Sequence, residues 1–142
     1  MDKNKKHVTI QDDAVIGKAG NRDLLADLFL PPSEDQKKPA IVVIHGGGWM
    51  EGDKTQLRGY GILLSQLGFV CLCASYRLSQ EAKWPSHIHD VKCAIRYLKA
   101  NAEKLGLDPN RIGVTGNSAG GHLALMCASD EKELEGDGGN QE

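Results

Sequence analysis

The stretch Gly116-Asn117-Ser118-Ala119-Gly120 constrains the fold of this chain more than any other. It reads G-x-S-x-G and lies between two apolar runs of different character. Arg111 to Thr115 before it is short and β-branched, the pattern of a buried strand. Gly121 to Ala128 after it is rich in Ala and Leu, the pattern of a buried helix. Strand, sharp turn and helix is the context in which a serine is lifted above a sheet on a nucleophile elbow. So tight a turn leaves no room for bulk two residues either side, and glycine stands at 116 and 120. The turn also puts Ser118 and Ala119 at a helix N-terminus, whose free N–H groups favour developing negative charge.

A second glycine cluster lies upstream. Ala40 to Ile44 reads as a buried strand and runs into His45-Gly46-Gly47-Gly48-Trp49. Glycines there allow the backbone to approach a ligand and to present N–H groups to it. An HGGG run after a strand and ahead of G-x-S-x-G resembles the oxyanion loop of lipases and esterases. The amides of Gly47, Gly48 and Ala119 are the expected acceptors of the charge that builds when Ser118 attacks an ester carbonyl. One such donor is worth about 3–4 kcal/mol of barrier. The resemblance to that loop also makes Trp49 an expected neighbour of the hole. Ser118 itself needs a base to take its proton.

Composition excludes other classes. The 142 residues carry a net charge of −2, so no basic footprint suggests nucleic acid. No apolar run approaches the roughly 18 residues of a membrane span. Residues 1–7 are polar and lack the apolar stretch of a signal peptide. A cytoplasmic protein is expected, and a secreted one only if a signal peptide has been removed.

Taken in order, 7–11 and 23–30 read as strands separated by 17–21, an expected hairpin. Next come a strand at 40–44 and a helix at 53–67 with apolar positions 57, 60, 63, 64 and 67, closed by Gly68. A strand at 69–74, a loop from 75 to 85, and a helix over 85–105 with apolar positions 88, 91, 94, 95 and 98 follow. Gly106 stops that helix, and Asp108-Pro109-Asn110 is expected to turn. The alternation implies an α/β fold: an N-terminal antiparallel hairpin, then parallel strands in a mostly parallel sheet with helices on both faces. The organisation expected is one incomplete domain over 1–142. Its parts are an N-terminal strand region (1–22), a core with both glycine segments (23–129), and an acidic, glycine-rich flexible tail (130–142).

Rival readings of the same residues are weaker. Gly48 to Thr55 resembles a phosphate-binding loop, but Asp53 stands where Lys must follow the glycine. Cys71 and Cys73 share one face of a strand, yet no zinc-type spacing accompanies them, and they read as buried apolar residues. No metal and no cofactor are expected.

The order HGGGW, Ser75-Tyr-Arg-Leu-Ser79, Trp84-Pro85, His89-Asp90-Val91, Asp108-Pro109-Asn110-Arg111-Ile112 and GNSAGGHLA resembles the α/β-hydrolase superfamily over about residues 23–140. It is most similar to bacterial esterases and lipases of the hormone-sensitive-lipase-like and carbohydrate-esterase-like groups. The resemblance implies that Ser118 is the nucleophile and that Gly47, Gly48 and Ala119 form the oxyanion hole. It implies cleavage of a small carboxylic ester through an acyl-enzyme. An arylformamidase-type amidase and a non-catalytic, hydrolase-like remnant or binding scaffold are the alternatives.

The family's triad runs Ser, then Asp or Glu, then His, on loops after later strands. Residues 119–142 hold no histidine beyond His122. The fold calls for about three more strands and over roughly 200 residues. The expectation is therefore the N-terminal half of a hydrolase, or a natural truncation, lacking the triad acid and base. His122, on the same helix as Ser118, is expected to run along the helix surface. His45, His87, His89 and Asp90 are expected to hold loops and helices. Strand 111–115 is expected to expose an edge through which chains self-associate.

Overall fold

The computed structural model describes residues 7–48 and 50–127. The tail expected at 130–142 and the neighbouring Trp49 lie outside them. Five strands form one sheet in the order β1-β2-β4-β3-β5. They are β1 (Thr9–Ala19), β2 (Arg22–Leu30), β3 (Lys38–Ile44), β4 (Val70–Ala74) and β5 (Leu107–Gly116). The helices are α1 (Arg58–Gln66), α2 (Ser86–Ala100), a short α3 (Ala102–Leu105) and α4 (Ala119–Met126). The first two strands make the expected hairpin, although β1 runs on to Ala19 and leaves only Gly20 and Asn21 to turn.

The sheet is mixed rather than mostly parallel. β2 pairs antiparallel with both β1 and β4, whereas β3 pairs parallel with β4 and β5. In the parallel part β3 and β5 end together: Ile44 faces Gly116 across the ladder. Each strand continues from that point into one of the two glycine segments.

Period-two alternation divides the core. Leu24, Leu28, Val42, Ile44, Leu72 and Val70 face α2 and α4, meeting Ile88, Val91, Leu98 and Leu123. Phe29, Val43, Cys71 and Cys73 face the other way, beneath α1. Helices thus cover both faces, as expected.

Helix α1 departs from its apolar pattern. Tyr60, Leu63 and Leu67 are exposed, while Gly61 and Ser65 are buried. A β-carbon on Gly61 would lie 2.8 Å from the Phe29 ring, so the helix approaches the sheet on its small residues. The helix also begins later than expected. Asp53 Oδ1 accepts the Thr55 N–H at 2.8 Å, and Ser75 Oγ accepts that of Lys54 at 2.9 Å, which holds 53–57 in turns. The long helix expected over 85–105 breaks at Asn101, and Gly106 ends α3 in the left-handed region at φ 68°. The turn expected at 108–110 is a break of register inside β5, with the Asn110 N–H donated to Asp108 Oδ1 at 2.9 Å.

Candidate active site

Ser118 has φ 55° and ψ −115°, outside the basins that L-residues favour. Such a conformation costs about 1–3 kcal/mol and persists only where its surroundings over-determine it. Here they do. The Asn117 N–H donates to Ile44 O at 3.3 Å, the Gly120 N–H to Asn117 O at 2.9 Å, and the His122 N–H to Ser118 O at 3.1 Å. Packing acts in the same sense. A β-carbon on Gly116 would lie 2.3 Å from the Gly120 carbonyl, and one on Gly120 would lie 2.1 Å from Ile44 O. The elbow is pressed onto the end of β3, and the exposed Ser118 stands at the start of α4.

The HGGG segment leaves β3 directly beneath this turn. A β-carbon on Gly46 would stand 2.6 Å from Asn117 O and 3.3 Å from Ser118 Cβ. The structure thus brings the two glycine segments into contact through Gly46, a residue the sequence did not single out. Its N–H is held by Gln56 Oε1 at 2.7 Å, and its carbonyl by His45 Nδ1 at 2.8 Å. The Tyr76 hydroxyl donates to His45 O at 3.0 Å, and Gly47 O accepts from both Met50 and Glu51 N–H at 3.1 Å. Among the described residues, the amides of Gly47 and Gly48 have no backbone acceptor. Both residues have positive φ, 122° and 62°, which glycine adopts without strain.

His45 is buried and stacks on Tyr76, ring centroids 4.2 Å apart. Burial lowers its pKa, only partly offset by the bond to Gly46 O. A carbonyl can only accept, so the neutral ring carries its proton on Nδ1. That bond fixes the Gly46–Gly47 peptide plane, and with it the direction of the Gly47 N–H on the opposite edge of the same plane. His45 therefore holds loop geometry, as expected.

The other histidines are also placed. His87 is buried, its pKa lowered by desolvation, with Nε2 3.2 Å from Ser79 Oγ. His122 is exposed, its ring 5.8 Å from Trp84. Asp90 forks onto Arg77, accepting Nη2 at 2.9 Å and the Arg77 N–H at 2.8 Å, which pins the 75–79 loop to α2. Burial pushes the thiols of Cys71 and Cys73 up to about 12. One hollow adjoins the elbow and another lies beside α4. The first, of about 510 Å3, is lined by Val43, Tyr60, Leu64, Gly116 and Asn117, the second, of about 340 Å3, by Ser79, Trp84, His87 and His122.

The chain is similar to known esterases. Esterase LipC of Mycobacterium tuberculosis is 43% identical over 91 residues, 63% of this chain and 22% of its own length. Carboxylesterase NlhH of the same organism is 30% identical over 129 residues, 88% of this chain and 40% of its own. The apo form of Thermogutta terrifontis esterase 2 superposes with a TM-score of 0.74 at 32% identity, covering 89% of this chain and 47% of that one. The chain thus spans less than half the length of each of these relatives. The family model BD-FAE matches residues 26–142. With an elbow serine, a glycine segment packed against it and the mixed sheet beneath both, the chain belongs to the BD-FAE family, within the α/β-hydrolase fold.

Proposed function

We propose that this chain carries the nucleophile and the oxyanion-binding segment of a serine hydrolase that cleaves small carboxylic esters. The observation that carries the reading is the strained, exposed Ser118 at the head of α4, in contact with the segment that contains Gly47 and Gly48. Ser118 Oγ attacks the ester carbonyl, and its proton passes to a base. The carbonyl oxygen takes up negative charge and is met by the amides of Gly47, Gly48 and Ala119. Collapse expels the alcohol and leaves an acyl-enzyme on Ser118, which water then hydrolyses.

The reaction needs no group beyond the protein, the ester and water. An arylformamidase-type amidase uses the same nucleophile and hole on an amide. A hydrolase-like scaffold without turnover is the second reading.

Thermogutta terrifontis esterase 2 is described in a form phosphorylated by paraoxon. An organophosphorus probe is therefore the apt test here. Labelling by a fluorophosphonate and a burst of p-nitrophenol from p-nitrophenyl acetate are expected with wild type and lost with Ser118→Ala. A labelled, turnover-free protein supports a competent nucleophile without its base, and no Ser118-dependent label supports the scaffold.

Two further expectations belong to the same reading. β5 occupies one end of the strand order, which favours self-association through Arg111–Gly116. A concentration-independent monomer in sedimentation would refute this. No described helix is long and apolar enough to cross a membrane. The cytoplasm is the compartment proposed, and cell fractionation checks it.

A further inference from the structure

We infer that Gln56 is a positioning residue for the glycine segment: its side-chain amide oxygen fixes the Gly46 peptide under the elbow. Gly46 is buried, and a β-carbon on it would meet Asn117 O at 2.6 Å, so its backbone has almost no freedom to move toward α4. Its N–H points away from the sheet and finds its acceptor ten residues on, at Gln56 Oε1, 2.7 Å distant. That N–H belongs to the His45–Gly46 peptide, and the carbonyl of the next peptide, Gly46–Gly47, is held by His45. Gln56 and His45 therefore grip successive peptide planes, and the second of those planes carries the Gly47 N–H.

What makes Gln56 more than an incidental contact is how its own backbone is anchored. Lys54 and Arg58 bracket it two residues to either side. Both reach the same carboxylate, Asp27, which is completely buried on β2. Lys54 Nζ lies 2.9 Å from Asp27 Oδ1 and from Asp13, and Arg58 Nη1 lies 3.0 Å from Asp27 Oδ2 and 2.8 Å from Asp12. Asp27 also accepts the Asp13 N–H at 3.0 Å. The N-terminal hairpin thereby clamps 54–58 at both ends, and Gln56 transmits that position to Gly46. The side chain of an exposed residue would otherwise have no fixed place.

The inference rests on the ester-hydrolase reading only for its catalytic consequence, so it is tested on the full chain in two ways. The first is amide hydrogen exchange by NMR in wild type, Gln56→Ala and Gln56→Glu. In Gln56→Ala the Gly46 amide exchanges roughly tenfold faster, while Val42 and Val43 keep their protection. Gln56→Glu retains an acceptor and restores protection at Gly46. The second is ester turnover: Gln56→Ala lowers kcat about five- to tenfold with KM unchanged, and Gln56→Glu recovers it. Unchanged Gly46 exchange in Gln56→Ala overturns the inference, and so does equal acceleration throughout β3, which would mark a general loss of stability. If wild type shows neither a Ser118-dependent label nor Ser118-dependent turnover, the proposed function fails, and the exchange measurement still decides the role of Gln56.

Discussion

Gly120 and Ile44 stand so close that a β-carbon on the first would lie 2.1 Å from the carbonyl oxygen of the second. The contact is backbone against backbone, across the seam where the elbow rests on β3. No side chain there can turn aside to relieve it. Gly120→Ala is expected to cost about 2–4 kcal/mol, the scale of an overpacked core site. Gly20→Ala is the comparison, since its φ of 61° is left-handed but nothing lies within 4 Å. It should cost only about 1 kcal/mol. Urea denaturation of both variants measures the difference, and equal midpoints would contradict the close approach.

Strain at Ser118 is separable from its chemistry. Glycine accepts φ 55° freely, whereas alanine does not. Ser118→Gly should therefore be more stable than Ser118→Ala by about 1 kcal/mol, though neither variant retains the nucleophile. Thermal unfolding of the pair is the check, and an Ala variant as stable as the Gly variant would mean an unstrained backbone.

Asp27 sits at the centre of a charge cluster in which Lys54 also reaches Asp13 and Arg58 also reaches Asp12. Its side chain is 1% exposed and bonds Lys54 and Arg58 together. Its removal leaves Lys54 with Asp13 and Arg58 with Asp12 but takes away the acceptor of the Asp13 N–H, so Asp27→Ala should cost about 2–3 kcal/mol. Lys18→Ala breaks the exposed pair with Asp23 and should cost under about 1 kcal/mol. Chemical denaturation of the two variants, with near-wild-type behaviour for Asp27→Ala as the refuting result, decides it.

The buried histidines set a pH dependence. Burial lowers the pKa of both His45 and His87 below the 6.5 of an unperturbed imidazole. The unfolded chain therefore binds protons more readily than the folded one as pH falls through 6.5. Their contribution to stability is fully present above pH 6.5 and is lost below it, down through the lowered folded values. Urea midpoints should fall between pH 7.5 and pH 5.5, and His87→Gln should flatten the slope. A midpoint that rises on acidification would contradict the buried neutral state.

Much of this was legible in the one-dimensional pattern, because some constraints are local. Five strands, a helix within 85–105 and a helix after the elbow follow from apolar period and from glycine stops. The elbow follows from steric exclusion within five residues. What the pattern misjudged were choices made by distant partners. Tyr60, Leu63 and Leu67 have helical spacing, yet α1 buries Gly61 and Ser65, because Phe29 on another strand needs the room. The antiparallel pairing of β2 with β4 was equally out of reach, since strand direction between non-neighbours is decided by how the whole sheet closes its core.

By itself, the sequence determined that Ser118 would stand on a tight turn and that a glycine segment would leave a parallel strand upstream. Both are consequences of which side chains are missing. Only the tertiary structure decided that Gly46 is the point where they touch, and that Gln56, His45 and Asp27 hold it there. Those partners come from separate segments, joined by hydrogen bonds and ion pairs whose geometry exists only once the sheet has brought the ends of β3 and β5 side by side.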